Sequence, residues 1–265
     1  MSGFNFYHSG DLGDIIYSLP TIKALGGGKL ILGNKLLFDK NKPEKTITLE
    51  IVSSLSKILN QQYYIEETLF EGNFEIDYNL NRFRGGFVDW ENKKLSVDCS
   101  NELRKTNLVK LVQNCFSIPG NLYLDNWLNC DDKIFTKKIV INRTFKYRNV
   151  NFPWQKILDK YKKFIVFLGH KDEYIDFANS YGDIDYIENT SMLDCFEIIN
   201  GCKLFIGNQS FLYSLAEGLK VNCLQETDTY MCNCMYLRKD AYITNTLEKL
   251  NFVNIEKFII KNLLK

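Results

Sequence analysis

The chain has 265 residues, 45% of them hydrophobic, with 33 Lys and Arg against 32 Asp and Glu and a net charge of +1. This length holds one large domain or two small ones, and either buries an adequate core. The near-zero charge excludes a global field that draws the chain onto nucleic acid or an anionic membrane, and no apolar run is long enough to offer a transmembrane helix.

Met1-Ser2-Gly3 runs straight into a first strand, so no export signal is expected. The eight cysteines, Cys99, Cys115, Cys130, Cys195, Cys202, Cys223, Cys232 and Cys234, are therefore expected as reduced thiols in a cytoplasmic protein. The apolar run Phe4-Asn5-Phe6-Tyr7 leads into Gly10-Asp11-Leu12-Gly13-Asp14. Ile15, Ile16, Leu19, Ile22 and Leu25 then recur at helical spacing. A glycine loop between a first strand and a first helix lies where ligands bind in open α/β sheets. Such loops cradle phosphate on backbone N–H groups, but Asp11 and Asp14 would repel one. We read the loop as a place where an acid or base meets an uncharged hydroxyl. Asp14 and Asp11 are the catalytic candidates, and Gly13 is a candidate for contact with a bound ligand.

Gly26-Gly27-Gly28-Lys29 lacks the spacing of a phosphate loop and reads as a helix-to-strand turn. A strand over Lys29 to Leu32 follows, then a helix from Thr48 to Asn60, short strands at Tyr63 to Ile65 and Phe74 to Leu80, and a loop at 81–86. Ser100 is expected to cap a helix that carries Leu103, Leu108, Leu111, Val112, Cys115 and Phe116 and ends at Pro119-Gly120. Asn129-Cys130-Asp131-Asp132 is a polar break, which divides the chain into domains 1–130 and 131–265.

The second half alternates. Strands are expected at Ile139 to Ile141, Phe164 to Leu168, Ile184 to Ile187, Leu204 to Ile206 and Val221 to Leu224. Helices fall at Trp154 to Lys163, Asp172 to Tyr181, Ser191 to Asn200 and Ser210 to Leu219, with a helical tail from Thr246 to Leu264. Five short apolar strands alternating with helices predict a parallel, doubly wound α/β sheet. The terminal helices are candidates to pack back on the first domain.

Three strand ends carry chemistry. Gly207-Asn208-Gln209-Ser210 ends one strand and opens a helix, a layout suited to a diphosphate, although Ser210 or Asn208 also reads as an ordinary cap. Arg143, Lys146 and Arg148 place three cations in one loop, where Arg reads phosphate bidentately and Lys as a point charge. Gly169 precedes Glu173, a candidate for ribose hydroxyls, and Glu226 is a second candidate for a sugar. Asp183-Ile184-Asp185 resembles a metal-binding Asp-x-Asp but opens an expected buried strand on the opposite edge. Cys232-Asn233-Cys234 with Cys223 lacks zinc spacing, so no metal site is expected.

Gly10-Asp11-Leu12-Gly13-Asp14 with Leu19-Pro20, and Gly207-Asn208-Gln209-Ser210 with Leu215-Ala216-Glu217-Gly218-Leu219, resemble the heptosyltransferase-like family of GT-B glycosyltransferases. The resemblance covers most of the chain, most specifically the first 25 residues and 139–226. It implies two Rossmann-like, doubly wound domains facing a cleft, with a nucleotide sugar on the C-terminal domain and the acceptor mainly on the N-terminal one. It implies an inverting, metal-independent transfer with Asp14 as general base, of hexosyl or heptosyl type. No cofactor is implied beyond the nucleotide-sugar co-substrate. The family's Gly-Asn-Asp-Ser-Gly-Pro-x-His is altered at Gln209, Phe211, Leu212 and Ser214, so no donor preference carries over.

The acceptor classes are a glycan, a glycolipid or a modified base in DNA. The last rests on Lys133, Lys137, Lys138, Arg143, Lys146 and Arg148, and nucleic acid is the less favoured partner. A non-catalytic nucleotide-sugar or glycan-binding protein is the remaining alternative.

Overall fold

The structure is a computed structural model and describes residues 3–34, 47–83, 88–89, 94–95, 106–228, 233–243 and 252–264. The chain divides into two compact units, Met1–Asn129 and Cys130–Lys265.

Unit 1 contains β1 (Phe4–His8), α1 (Leu12–Ala24), β2 (Gly28–Leu32), α2 (Leu49–Leu59), β3 (Ile65–Phe70) and β4 (Tyr78–Asn79). These strands form a parallel sheet in the order β3-β2-β1-β4. A small antiparallel pair, β5 (Val88–Asp89) with β6 (Lys94–Leu95), precedes α3 (Leu108–Cys115). The apolar stripe of α1 is fully buried at Ile15, Ile16, Leu19 and Ile22, as its spacing requires. Gly28, at φ +150°, lets β2 approach β1 so closely that a Cβ there would collide with the Phe4 carbonyl.

Two expectations shift. Tyr63 and Tyr64 belong to a turn, and the strand starts at Ile65 and runs to Phe70. Glu66 and Glu67 lower the β propensity of that run, and parallel pairing with β2 overrides it. The expected strand Phe74 to Leu80 shortens to β4. Ser100 and Leu103 lie outside the described residues. Within them α3 starts at Leu108, capped by Asn107, whose Oδ1 accepts the Lys110 N–H at 2.9 Å.

Unit 2 runs β7 (Ile139–Asn142), α4 (Trp154–Tyr161), β8 (Ile165–Gly169), α5 (Lys171–Tyr181), β9 (Asp185–Glu188), α6 (Met192–Gly201), β10 (Leu204–Gly207), α7 (Phe211–Gly218), β11 (Cys223–Gln225), β12 (Ala241–Ile243) and α8 (Phe252–Leu263). All six strands are parallel, in the order β12-β11-β10-β7-β8-β9. The chain builds outward from β7 on one side, then returns and builds outward from β10 on the other. This is the doubly wound order, whose ligand crevice lies outside the carboxyl ends of the two strands where the direction reverses. Here those strands are β7 and β10.

The five expected strands are present, and β12 is a sixth. It is only three residues long and half-buried, too short to carry a period. Strand β9 is a partly exposed edge rather than a buried strand. Asp185 at its start pairs with Lys137 at 2.6 Å, so that acidic pair serves the edge of the sheet. Ile255 and Ile259 of α8 lie in the core of this unit.

The six described cysteines are free thiols, and Cys99 and Cys232 fall outside the described residues. Among the described residues no group of His, Cys, Asp and Glu is placed to hold a metal ion. No described helix is long and apolar enough to cross a membrane.

Candidate functional site

In unit 1 the first loop is fixed at two points. Strand β1 delivers His8, which is fully buried, and the Gly10 N–H donates to its Nδ1 at 2.9 Å. A ring nitrogen that accepts leaves the proton of the neutral imidazole on Nε2. The Ser9 N–H donates to Oδ1 of Asn81, just beyond β4, at 3.1 Å. The loop is thus tied to its own strand and to the neighbouring one. Asp11 occupies the N-cap position of α1 without using its side chain as a cap. Asp14 sits in the first turn, where the helix dipole favours a carboxylate. Residues 11–14, Gly13 among them, are partly exposed, and the buried run starts at Ile15.

In unit 2 the candidates gather at the reversal point. Gly207 closes β10 opposite Asn142 at the end of β7. A Cβ at Gly207 would lie 2.7 Å from the Asn142 carbonyl oxygen, so only glycine lets the two strand ends meet. Asn208 is fully buried. Its Oδ1 accepts the Thr144 N–H at 2.9 Å, and its Nδ2 donates to the carbonyls of Thr144 at 3.1 Å and Lys146 at 2.5 Å. The side chain replaces a stretch of ladder and pins the basic loop to β10. Ser210 caps α7 by accepting the Tyr213 N–H at 3.1 Å, which is the ordinary cap role. Gln209 donates to Asn233 Oδ1 at 3.0 Å.

The three loop cations are not equivalent. Arg143 is buried, and its guanidinium donates to both oxygens of Glu226 at 2.9–3.2 Å. Glu226 also accepts the Asn149 N–H at 2.9 Å and Trp154 Nε1 at 3.0 Å. Its carboxylate is fully buried with both oxygens taken, so the expectation that it reaches a sugar gives way to an internal role. Arg148 donates to the Thr144 carbonyl at 2.7 Å, pairs with Asp176 at 2.8 Å and lies over the Phe145 ring. Lys146 is the exposed one. Of the wider basic patch, Lys137, Arg143 and Arg148 are each held by a carboxylate.

No protein-family model matches the chain, and no curated protein matches it in sequence. Solved structures do match its fold. A glycosyl transferase family 9 protein from Veillonella parvula superposes with a TM-score of 0.60 at 9% identity, over 98% of this chain and 90% of that one. ADP-heptose LPS heptosyltransferase II of E. coli gives 0.61 at 11%, over 100% and 99%. The E. coli heptosyltransferase WaaC with ADP gives 0.61 at 9%, over 98% and 99%. The chain has a GT-B fold.

Within this GT-B fold, Gly169 and Glu173 stand beside the same edge. Glu173 is nearly buried and accepts the His170 N–H at 3.3 Å, completing a capping box on α5. Burial pushes its carboxyl up, against smaller lowering effects from His170, Asn142 and Arg148. A carboxyl raised in the fold adds stability below its ordinary value and loses it as pH rises through the folded value. At neutral pH the charged Glu173 is therefore a cost. Glu173→Gln keeps an acceptor for the His170 N–H and removes the charge. Melting at neutral pH should show the variant more stable than the parent, with the gain fading as pH falls from the raised folded value towards 4.5 and gone below it. A lower melting temperature at neutral pH would show the charge to be stabilising instead.

The sequence placed Arg143, Lys146, Arg148, Gly169, Glu173, Gly207, Asn208, Gln209 and Ser210 on one edge, and the strand order brings their backbones there. It missed Asn149 and Trp154 as parts of this edge, and it gave Asn142, at the start of the basic loop, no role. Asn142 Nδ2 donates to the Leu168 carbonyl at 3.0 Å and so ties the end of β7 to β8. Its position at the last residue of an apolar strand was the available signal.

Proposed function

We propose that the chain is an inverting, metal-independent glycosyltransferase, moving a sugar from a nucleoside-diphosphate sugar to an acceptor hydroxyl. The observation that carries this reading is the reversal point of the second sheet. There a loop pinned by Asn208 and bearing Lys146 and Arg148 adjoins the strand that opens into α7. Oriented N–H groups at a helix start, together with cations, are what a diphosphate requires. Structural neighbours that bind ADP or are named for ADP-heptose support the same class of donor.

Asp14 takes the proton of the acceptor hydroxyl. The oxygen forms a bond to the anomeric carbon as the bond from that carbon to the diphosphate oxygen breaks, with inversion. Negative charge grows on the departing diphosphate, where Lys146, Arg148 and the start of α7 stabilise it. Glu173 accepts from the ribose hydroxyls, while Gly169 and Gly207 allow close approach. A glycan or glycolipid acceptor fits better than DNA, because a net charge of +1 supplies no field towards a polyanion. A cytoplasmic location fits free thiols and a nucleotide-sugar donor.

The test is thermal stabilisation by UDP-, ADP-, GDP-, CMP- and dTDP-sugars, with and without a chelator. A ligand present at about 100 times its dissociation constant adds about 2.7 kcal/mol. A chelator-insensitive shift with one nucleotide is expected and names the donor class. No shift with any of them would overturn the nucleotide-sugar reading.

A further inference from the structure

The ion pair of Arg143 with Glu226 joins residues just past β7 and β11, and β10, which ends at Gly207, lies between those strands. Glu226 is anchored to β10 by its own backbone, since its N–H donates to the Gly207 carbonyl at 2.9 Å. Its carboxylate then reaches the Arg143 guanidinium at one end of the basic loop, the Asn149 N–H at the other, and Trp154 at the start of α4. Asn208 tethers the loop further, on the carbonyls of Thr144 and Lys146, and Arg148 ties it to Asp176 of α5 at 2.8 Å. Lys146 is left exposed between these fixed points.

From this arrangement, which rests on the nucleotide reading above, we propose that Glu226 is a positioning residue for donor binding. It neutralises Arg143 and fixes both ends of the loop, so that Lys146 and Arg148 are presented to the diphosphate with little ordering left to do on binding. Preorganisation of this kind raises affinity by removing the cost of ordering. Arg143 then has no direct place on the phosphate. A carboxylate buried in this way carries no ligand of its own, yet donor affinity depends on it.

The experiment compares the parent with Glu226→Gln, and with Glu226→Gln combined with Arg143→Met. The single variant removes the charge that Arg143 answers, and the double variant also removes the orphaned cation, so that one of them folds. Two quantities are read: hydrogen exchange of the amides in 143–150, and the dissociation constant of the nucleoside diphosphate that stabilises the parent. Faster exchange confined to this loop is expected, with affinity weakened about tenfold or more. KM for the donor should rise and kcat should fall with it, because the loop cations also meet the charge that grows on the leaving diphosphate. The double variant should recover melting temperature without recovering affinity. Unchanged exchange in the loop, or unchanged affinity in a folded variant, overturns the proposal. Affinity that returns in step with stability in the double variant overturns it too, because Glu226 is then only structural. Failure of the unsubstituted protein to bind any nucleotide is seen before a variant is made, and it overturns the nucleotide reading together with this proposal.

Discussion

Asp14→Asn is expected to abolish transfer while nucleotide-sugar binding persists. A general base contributes about a hundred- to ten-thousand-fold to rate, so kcat should fall by that range, near the upper end where the acceptor is an alcohol. Asn keeps the size and polarity of Asp but takes no proton at neutral pH. The stability effect is small by comparison. Asp14 is partly exposed in the first turn of α1, where a carboxylate is worth about 0.3–1 kcal/mol against the dipole. A folded protein without turnover is therefore readable as lost chemistry. Asp11→Asn is the control, since Asp11 stands three residues earlier in the same loop and does not cap the helix. The measurement is single-turnover transfer with donor saturating, alongside a binding isotherm for the donor. Parent-level transfer by Asp14→Asn would remove it from the role of base. Loss of transfer by Asp11→Asn with retention by Asp14→Asn would move the role to Asp11.

Much of this fold was legible because parallel sheets write themselves plainly. Strands buried on both faces read as short apolar runs, and Ile139 to Ile141, Leu204 to Ile206 and the Phe164 to Leu168 run all became strands. Helix starts were equally plain where a hydroxyl cap preceded them, as at Thr48, Ser191 and Ser210. Position at a strand's carboxyl end then placed the candidate loops without any knowledge of contacts. What stayed hidden was the fate of each polar side chain. A Glu after a strand looks the same whether it meets solvent or a guanidinium. Glu226 and Arg143 are 83 residues apart, and only the order β11-β10-β7 brings them together. Asn208 was legible as a cap or a ligand contact, and it proved to be a tether. Tertiary hydrogen bonding, which has no period in sequence, decided each of these.

Glu217→Ala is expected to cost about 3–5 kcal/mol, the range for removing one partner of a buried ion pair. Glu217 lies in the last turn of the eight-residue α7 and is fully buried. Its Oε1 meets Arg238 Nε at 2.8 Å and Lys220 Nζ at 3.0 Å, and its Oε2 accepts Arg238 Nη2 at 3.2 Å. One carboxylate thus holds two cations out of water. Burial already lowers the Lys220 ammonium to about 8, despite the carboxylate beside it. Without Glu217 the two cations face each other with no carboxylate between them, and the Val221 carbonyl that accepts Arg238 Nη2 at 2.6 Å carries no charge to answer theirs. Against a typical total of about 5–15 kcal/mol this is a large fraction, and urea unfolding should show it as a lower midpoint with an unchanged slope. Replacing the set with apolar residues of similar volume, Glu217→Leu with Arg238→Met and Lys220→Met, should recover most of the loss, since such replacements are often neutral or stabilising. A Glu217→Ala variant within about 1 kcal/mol of the parent would show that solvent reaches this pair. The comparison with Glu226 separates two uses of one chemistry. Glu217 anchors α7 at the end away from Ser210, on the opposite edge of the sheet from the loops, so its loss should lower stability while the molecules that remain folded bind nucleotide as before. Glu226 acts at the loops themselves, so its loss should weaken binding in molecules that are still folded.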